Sequence, residues 1–146
     1  MTIPIRNQKG FTLVELLVVI AIIGILLSMI AVSLKEASER GKNTKIVTDV
    51  VQVMKIAEQI RLDGSYTNLC KNSTLNGDDY VDLATLREDI TKYGSAISCY
   101  ASDDSYCVSA ALAGEAGNWF CIDDEGNAIK LEQPADPCAD SADTCQ

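Results

Sequence analysis

Between Phe11 and Leu34 the only charged side chain is Glu15. A carboxylate set among apolar side chains costs about 2.5 to 3.5 kcal/mol on membrane-insertion scales and is normally matched by a cation. Lying one helical turn after Phe11, Glu15 can meet either the start of its own helix or a cation supplied from outside. Immediately ahead, Gly10-Phe11 joins a polar, basic segment, MTIPIRNQKG, to the apolar run. In such an arrangement a cut site is expected ahead of the apolar run.

Other residue groups carry less chemistry. The six cysteines, Cys70, Cys99, Cys107, Cys121, Cys138 and Cys145, all follow the apolar run, which suits an oxidising compartment and disulfide staples. Zinc ligation would draw on C-x-x-C pairs or His, and the chain has neither. Asp123-Asp124-Glu125-Gly126-Asn127 could present oxygens to calcium, although the same residues suit a solvated acidic turn. There is no nucleophile elbow and no P-loop, so no enzyme is expected and no cofactor is required. A net charge of -9 speaks against a phosphate-binding face, and direct nucleic-acid binding is not expected.

The elements that position these residues follow from periodicity. About 23 apolar residues at about 1.5 Å each reach about 35 Å, enough for a hydrocarbon core of about 30 Å. Arg6 and Lys9 would hold the N-terminal end in the cytoplasm, leaving the rest outside. An ordinary secretory signal has a shorter apolar core with its cut site behind it, which is not the arrangement here. From Lys35 to Lys45, Glu36 with Arg40 and Glu39 with Lys42 support an exposed helix. Beyond them Ile46, Val50, Val53, Ala57 and Ile60 form an apolar stripe facing away from Lys45, Thr48, Asp49, Gln52, Lys55 and Gln59. One helix from about Thr12 to Asp63 is therefore predicted, stopped by Asp63-Gly64.

A polar connection over 65–79 follows, in which the triplet Asn72-Ser73-Thr74 reads as loop. Next comes a short helix carrying Leu83, Leu86, Ile90 and Tyr93, capped by Asp78 or Asp79 and ended by Gly94. Four antiparallel strands are expected at 96–101, 105–112, 118–123 and 128–132. With Ala113-Gly114-Glu115 as the hairpin loop, Tyr106 opposes Ile122, Val108 opposes Phe120, and Cys107 opposes Cys121. A turn at 124–127 brings Ile129 beside Ile122 and Leu131 beside Phe120 on one apolar face. That register proposes Cys107 with Cys121; a short tail loop proposes Cys138 with Cys145; Cys70 with Cys99 is left. The fold class is α+β: a long N-terminal helix packed on a small antiparallel sheet.

Gly10-Phe11-Thr12-Leu13-Val14-Glu15 and the apolar residues after it closely resemble the class III signal of type IV pilins and pseudopilins. The resemblance implies a leader of residues 1–10, a transmembrane and assembly helix over 11–34, and an extracytoplasmic head over 35–146. It implies that a prepilin peptidase cuts between Gly10 and Phe11 and N-methylates Phe11. Loss of Arg6 and Lys9 with the leader leaves the mature chain more acidic. By the same resemblance Glu15 pairs with the Phe11 amine of a neighbouring subunit and so sets axial register. The alternative is a pair within its own chain. Many family members carry Pro where this chain has Val32, so loosening of the helix after Gly24 is less expected here.

The implied partners are other pilin subunits, the peptidase, an inner-membrane platform protein and an assembly ATPase. The implied role is a filament subunit for adhesion, motility or DNA uptake. A pseudopilin of a type II secretion system is the alternative, and some of those bind calcium in the head. A membrane-anchored binding protein that never polymerises is a second alternative.

Overall fold

The computed structural model describes residues 10–114, 116–133, 135–139 and 144–145, apart from the side chains of residues 31 and 32. The expected roles of Arg6, Lys9, Glu115 and the Val32 side chain lie outside that description. The chain divides into two compact units, up to Ala37 and from Ser38 onward. Helix α1, Leu13–Arg61, belongs to both. After it come β1 (Cys70–Lys71), β2 (Thr74–Leu75), α2 (Val81–Lys92), β3 (Ile97–Ala101), β4 (Tyr106–Ala111), β5 (Asn118–Asp123) and β6 (Ala128–Glu132). The long helix, the short helix and the four-stranded antiparallel sheet β3-β4-β5-β6 are those the periodicity predicts.

In the first unit the described side chains of α1 are exposed, and from Leu13 to Leu34 they are almost all apolar. In the second unit α1 becomes amphipathic. Ile46, Val50, Val53, Ala57 and Ile60 are at most 2% exposed and share a core with Tyr106, Val108, Ala110, Phe120 and Ile122 of the sheet and Leu83, Leu86 and Ile90 of α2. Full burial of each aliphatic side chain contributes about 1.5 to 3 kcal/mol, so this stripe is what holds the sheet to the helix. The helix ends through tighter i to i−3 bonds, Asp63 N to Ile60 O (3.0 Å) and Gly64 N to Arg61 O (2.8 Å). Gly64 then takes φ 109°, a backbone state that Gly adopts without a Cβ penalty. Tyr66 closes this end, with its ring edge-on to Tyr106 at 4.8 Å and its hydroxyl accepting a bond from Arg61.

Three local expectations need correction. The cap of α2 is Tyr80, with no side-chain bond, because the acids ahead of it are engaged elsewhere: Asp78 pairs with Lys71 at 2.7 Å and Asp79 accepts from Asn76 Nδ2. The stretch read as a polar connection contains the β1-β2 ribbon, turned by Asn72 and Ser73 at φ 53° and 59°, the positive pair a two-residue hairpin needs.

The third correction concerns register. Val108 opposes Ile122, Ala110 opposes Phe120, and Cys107 lies across from Asp123, a shift of two residues from the expected pairing. Asn43 of α1 fixes this: its Oδ1 accepts from Ala113 N at 2.7 Å and its Nδ2 donates to Ala113 O at 3.1 Å. Gly114 (φ 74°) lies so near Glu39 that a Cβ there would come within 2.5 Å of the carboxylate. The loop is therefore pulled wider than a minimal hairpin. A two-residue shift preserves the faces, so the apolar side remains as predicted.

Between β5 and β6 the shift is odd. Cys121 opposes Ile129 and Trp119 opposes Leu131, which moves Ile129 and Leu131 from the expected apolar face to the opposite one. Ile129 is 38% exposed, and Leu131 packs on the buried cysteines of that face. The disulfides accordingly differ from expectation at two bridges: Cys107 joins Cys138 and Cys121 joins Cys145, whereas Cys70 joins Cys99 as predicted. Cys107 and Cys121 are not directly opposed, and both reach outward to the tail.

Asp49 of α1 is a polar exception in this unit. It is 3% exposed with Oδ2 unpartnered. Burial raises its carboxyl above the ordinary range, against the lowering effect of Lys45 and with a further raising effect of Asp89. A raised folded-state pKa means that the charged form opposes folding at neutral pH and that this opposition fades as pH falls through that pKa. Asp49→Asn should therefore stabilise the detergent-solubilised chain by about 1 kcal/mol at pH 7. Thermal unfolding measured across a pH series should show the gain shrinking toward pH 4; a gain independent of pH would contradict the assignment.

Candidate functional site

Glu15 is held by the start of its own helix. Thr12 N donates to Glu15 Oε2 at 2.9 Å and Thr12 Oγ1 donates to the same oxygen at 2.8 Å. In return Glu15 N donates to Thr12 Oγ1 at 3.3 Å. With α1 beginning at Leu13, Thr12 is the N-cap and Glu15 is the third helical residue, so the two form a reciprocal capping box. The signal was present in the sequence as Thr-x-x-Glu ahead of an apolar run, beyond the general helix-start partner already considered for Glu15. Just before it, Phe11 is 79% exposed, and a Cβ added at Gly10 would meet no atom of the described residues within 4 Å. The structure thus places Gly10, Phe11 and Glu15 together at one accessible helix start.

Downstream, α1 is long and apolar enough to cross a membrane, with a mean hydropathy of 3.0 in its most apolar window. Its polar residues there are satisfied internally: Ser28 Oγ donates to Ile25 O at 2.7 Å and Ser33 Oγ to Met29 O at 3.3 Å. Hydrocarbon offers no other partner to such groups. The helix continues unbroken through Gly24 and residue 32.

The acidic turn after β5 does a structural job that sequence reasoning missed. Asp123 is fully buried. Its Oδ1 accepts from Asn127 N (2.9 Å), and its Oδ2 accepts from Asn127 Nδ2 (2.8 Å) and Cys145 N (3.0 Å). One carboxylate therefore sets the odd turn and fastens the tail. Asp124 accepts only a long bond from Tyr106 N at 3.3 Å, and Glu125 is exposed. Among the described residues, the group close enough to share a metal ion is Cys107, Cys121 and Cys138, whose sulfurs are committed to disulfides.

An uninterrupted apolar helix with a capped acid in its first turn, continuing into a small disulfide-stapled α+β head, defines a pilin-like subunit. The model of the prokaryotic N-terminal methylation motif matches residues 5–31. The type IV wide pilus major component PilA4 of Thermus thermophilus is 33% identical over 128 residues, covering 86% of this chain and 88% of that protein. The type II secretion system core protein G of Vibrio cholerae is 40% identical over 60 residues, 41% of each chain. That of Escherichia coli is 37% identical over the same length, again 41% of each. No solved structure matches the chain. The chain belongs to the type IV pilin and pseudopilin family.

Removal of the buried carboxylate should unsettle turn and tail together. Asp123→Ala leaves three N–H groups without their acceptor and should lower stability by on the order of 3 kcal/mol. Asp124→Ala should stay within about 1 kcal/mol of the parent. Denaturant unfolding of the full chain in mild detergent, followed by Trp119 fluorescence, measures both; equal effects would refute the role given to Asp123.

Proposed function

We propose that this chain is a structural subunit of a type IV pilus-like filament, cut between Gly10 and Phe11, N-methylated on Phe11 and polymerised through α1. The observation that carries the reading is the isolated carboxylate of Glu15, beside an exposed Phe11 in a helix that is apolar on all sides. Its capping bonds come from neutral donors, so a cation remains the stronger partner. Cleavage would create one, the Phe11 amine, and a neighbouring subunit could present it to Glu15 in a bundle of such helices. Before assembly the subunit waits in the bacterial inner membrane with its N-terminus in the cytoplasm and its head outside. The prepilin peptidase, a platform protein and an assembly ATPase are the partners this route requires.

The extent of similarity favours a pilus. The wide-pilus relative matches over most of both chains, whereas the secretion core proteins match over 41% of this chain. A secretion or DNA-uptake pseudopilus uses the same helix and is the second reading. An anchored binding protein that stays monomeric would keep its leader.

Mass analysis of protein sheared from cells should find an N-methylated Phe11 as the first residue. Glu15→Ala should still insert and be processed. Loss of a charge-assisted pair of about 1.5 to 3 kcal/mol per contact should reduce filament yield at least about tenfold. Polymer that retains Met1, or normal yield from Glu15→Ala, would overturn the proposal.

A further inference from the structure

The sheet face turned away from α1 carries two disulfides side by side. Cys107 of β4 and Cys121 of β5 belong to the sheet, and Cys138 and Cys145 belong to the tail. Cys121 Sγ is 3.6 Å from Cys107 Sγ and 3.6 Å from Cys138 Sγ, the two sulfurs of the neighbouring bridge. Both sheet cysteines are 0% exposed, while Cys138 and Cys145 keep 4% and 7% of their surface. Beyond the bridges, hydrogen bonds that fasten the tail to the sheet include Ser109 Oγ to Asp136 Oδ1 and Cys145 N to Asp123 Oδ2.

We infer that these four cysteines form an exchangeable latch, in which thiol attack on either tail bridge transfers the remaining disulfide to Cys107–Cys121 and releases the whole tail. An external thiolate, from a small thiol or a dithiol protein, attacks the more accessible Cys145 sulfur. It forms a mixed disulfide there and expels Cys121 as a thiolate. That thiolate already lies beside the second bridge; with Cys145 gone, rotation of its side chain brings it into line with the Cys107–Cys138 bond. It bonds to Cys107 and expels Cys138. Attack at Cys138 runs symmetrically: Cys107 leaves, attacks Cys121, and expels Cys145.

The two routes converge, because the outer sulfurs belong to the tail and the sulfurs first expelled belong to the sheet. The second tail thiolate can then attack the mixed disulfide, forming Cys138–Cys145 and returning the thiol, so the net change is isomerisation with no electrons consumed. Alternatively a second external thiol resolves the mixed disulfide, leaving two tail thiols and one oxidised external disulfide, a two-electron reduction. In either end state Cys107 is joined to Cys121, and the sheet face bearing Ser109, Asp123 and Leu131 loses its covalent cover. The released segment carries Asp136, Asp140 and Asp143 in its sequence.

The test uses the full chain in detergent, titrated with reduced glutathione until half the molecules have lost one tail bridge. Free thiols are trapped with N-ethylmaleimide, and disulfide-linked peptides are mapped by mass. The Cys107–Cys121 linkage should predominate in the opened molecules, with Cys138 and Cys145 alkylated, glutathionylated or joined to each other. Opened molecules that mainly retain Cys107–Cys138 with Cys121 alkylated, or Cys121–Cys145 with Cys107 alkylated, would overturn the inference. In the Cys107→Ser, Cys138→Ser double variant no acceptor bridge remains, so Cys121 should be alkylated there; its continued protection would equally count against transfer.

Discussion

One helix has to satisfy two different surroundings, and most of the structure follows from that constraint. Up to Ala37 the described side chains of α1 are exposed on every side and dominated by Leu, Ile and Val. From Ile46 to Ile60 its buried apolar residues form a stripe of five positions, and the sheet and α2 close over it. A helix that is apolar all round needs lipid or other helices; one with a stripe needs a single packed face. The head therefore depends on α1 for one whole side of its core, since a small antiparallel sheet and a twelve-residue helix have little apolar surface with which to fold alone. The disulfides supplement that limited core by restricting the unfolded chain.

The two faces of the sheet divide the work. Tyr106, Val108, Ala110, Phe120 and Ile122 lie against the helices, where dispersion and burial fix their packing. On the opposite face there is no second layer of secondary structure among the described residues. Cys107, Cys121 and Asp123 bind the tail instead, through two bridges and a buried carboxylate that accepts three N–H bonds. Bridges that span 31 and 24 residues close longer loops than the pairs Cys107–Cys121 and Cys138–Cys145 would. The chain-entropy account assigns greater stabilisation to longer loops. The observed pairing thus secures the tail while keeping a shorter-loop alternative one exchange away.

How much of this could be read in the sequence depended on whether the signal was local. The stripe at Ile46, Val50, Val53, Ala57 and Ile60, the strands of the sheet, the apolar triad of α2 and the break at Gly64 are set by periodicity and backbone preference, and all were legible. Strand register was legible only to parity between β4 and β5, because the deciding contact, Asn43 to Ala113, joins residues 70 apart in sequence. At the next turn the deciding group was the Asp123 side chain, bonded to Asn127 and to Cys145. A solvated acidic turn would have looked the same in sequence. The incorrect bridges follow from those register errors: Cys107 placed directly opposite Cys121 takes it as partner, while Cys107 set across from Asp123 reaches outward. Asp78 and Asp79 illustrate the same limit, as cap candidates by position that Lys71 and Asn76 claim through contacts invisible to a local reading.

At the start of α1 the magnitudes decide what the capping box can accomplish. A carboxylate in a membrane helix costs up to about 3.5 kcal/mol at the centre of the span, and less at the first turn where Glu15 stands. An N-cap interaction of the Thr12 kind returns about 1 kcal/mol, which offsets part of that deficit and leaves the charge itself unneutralised. Thr12 therefore keeps the acid tolerable and oriented without removing its demand for a cation. Under the proposed processing, cleavage supplies that cation next to the cap, at the nitrogen of Phe11. Both Thr12 donors converge on one oxygen of Glu15, Oε2, so the cap leaves Oε1 to other partners. Under the proposed assembly, the same box would leave half of the carboxylate for a second chain, so insertion and polymerisation need not compete for one atom.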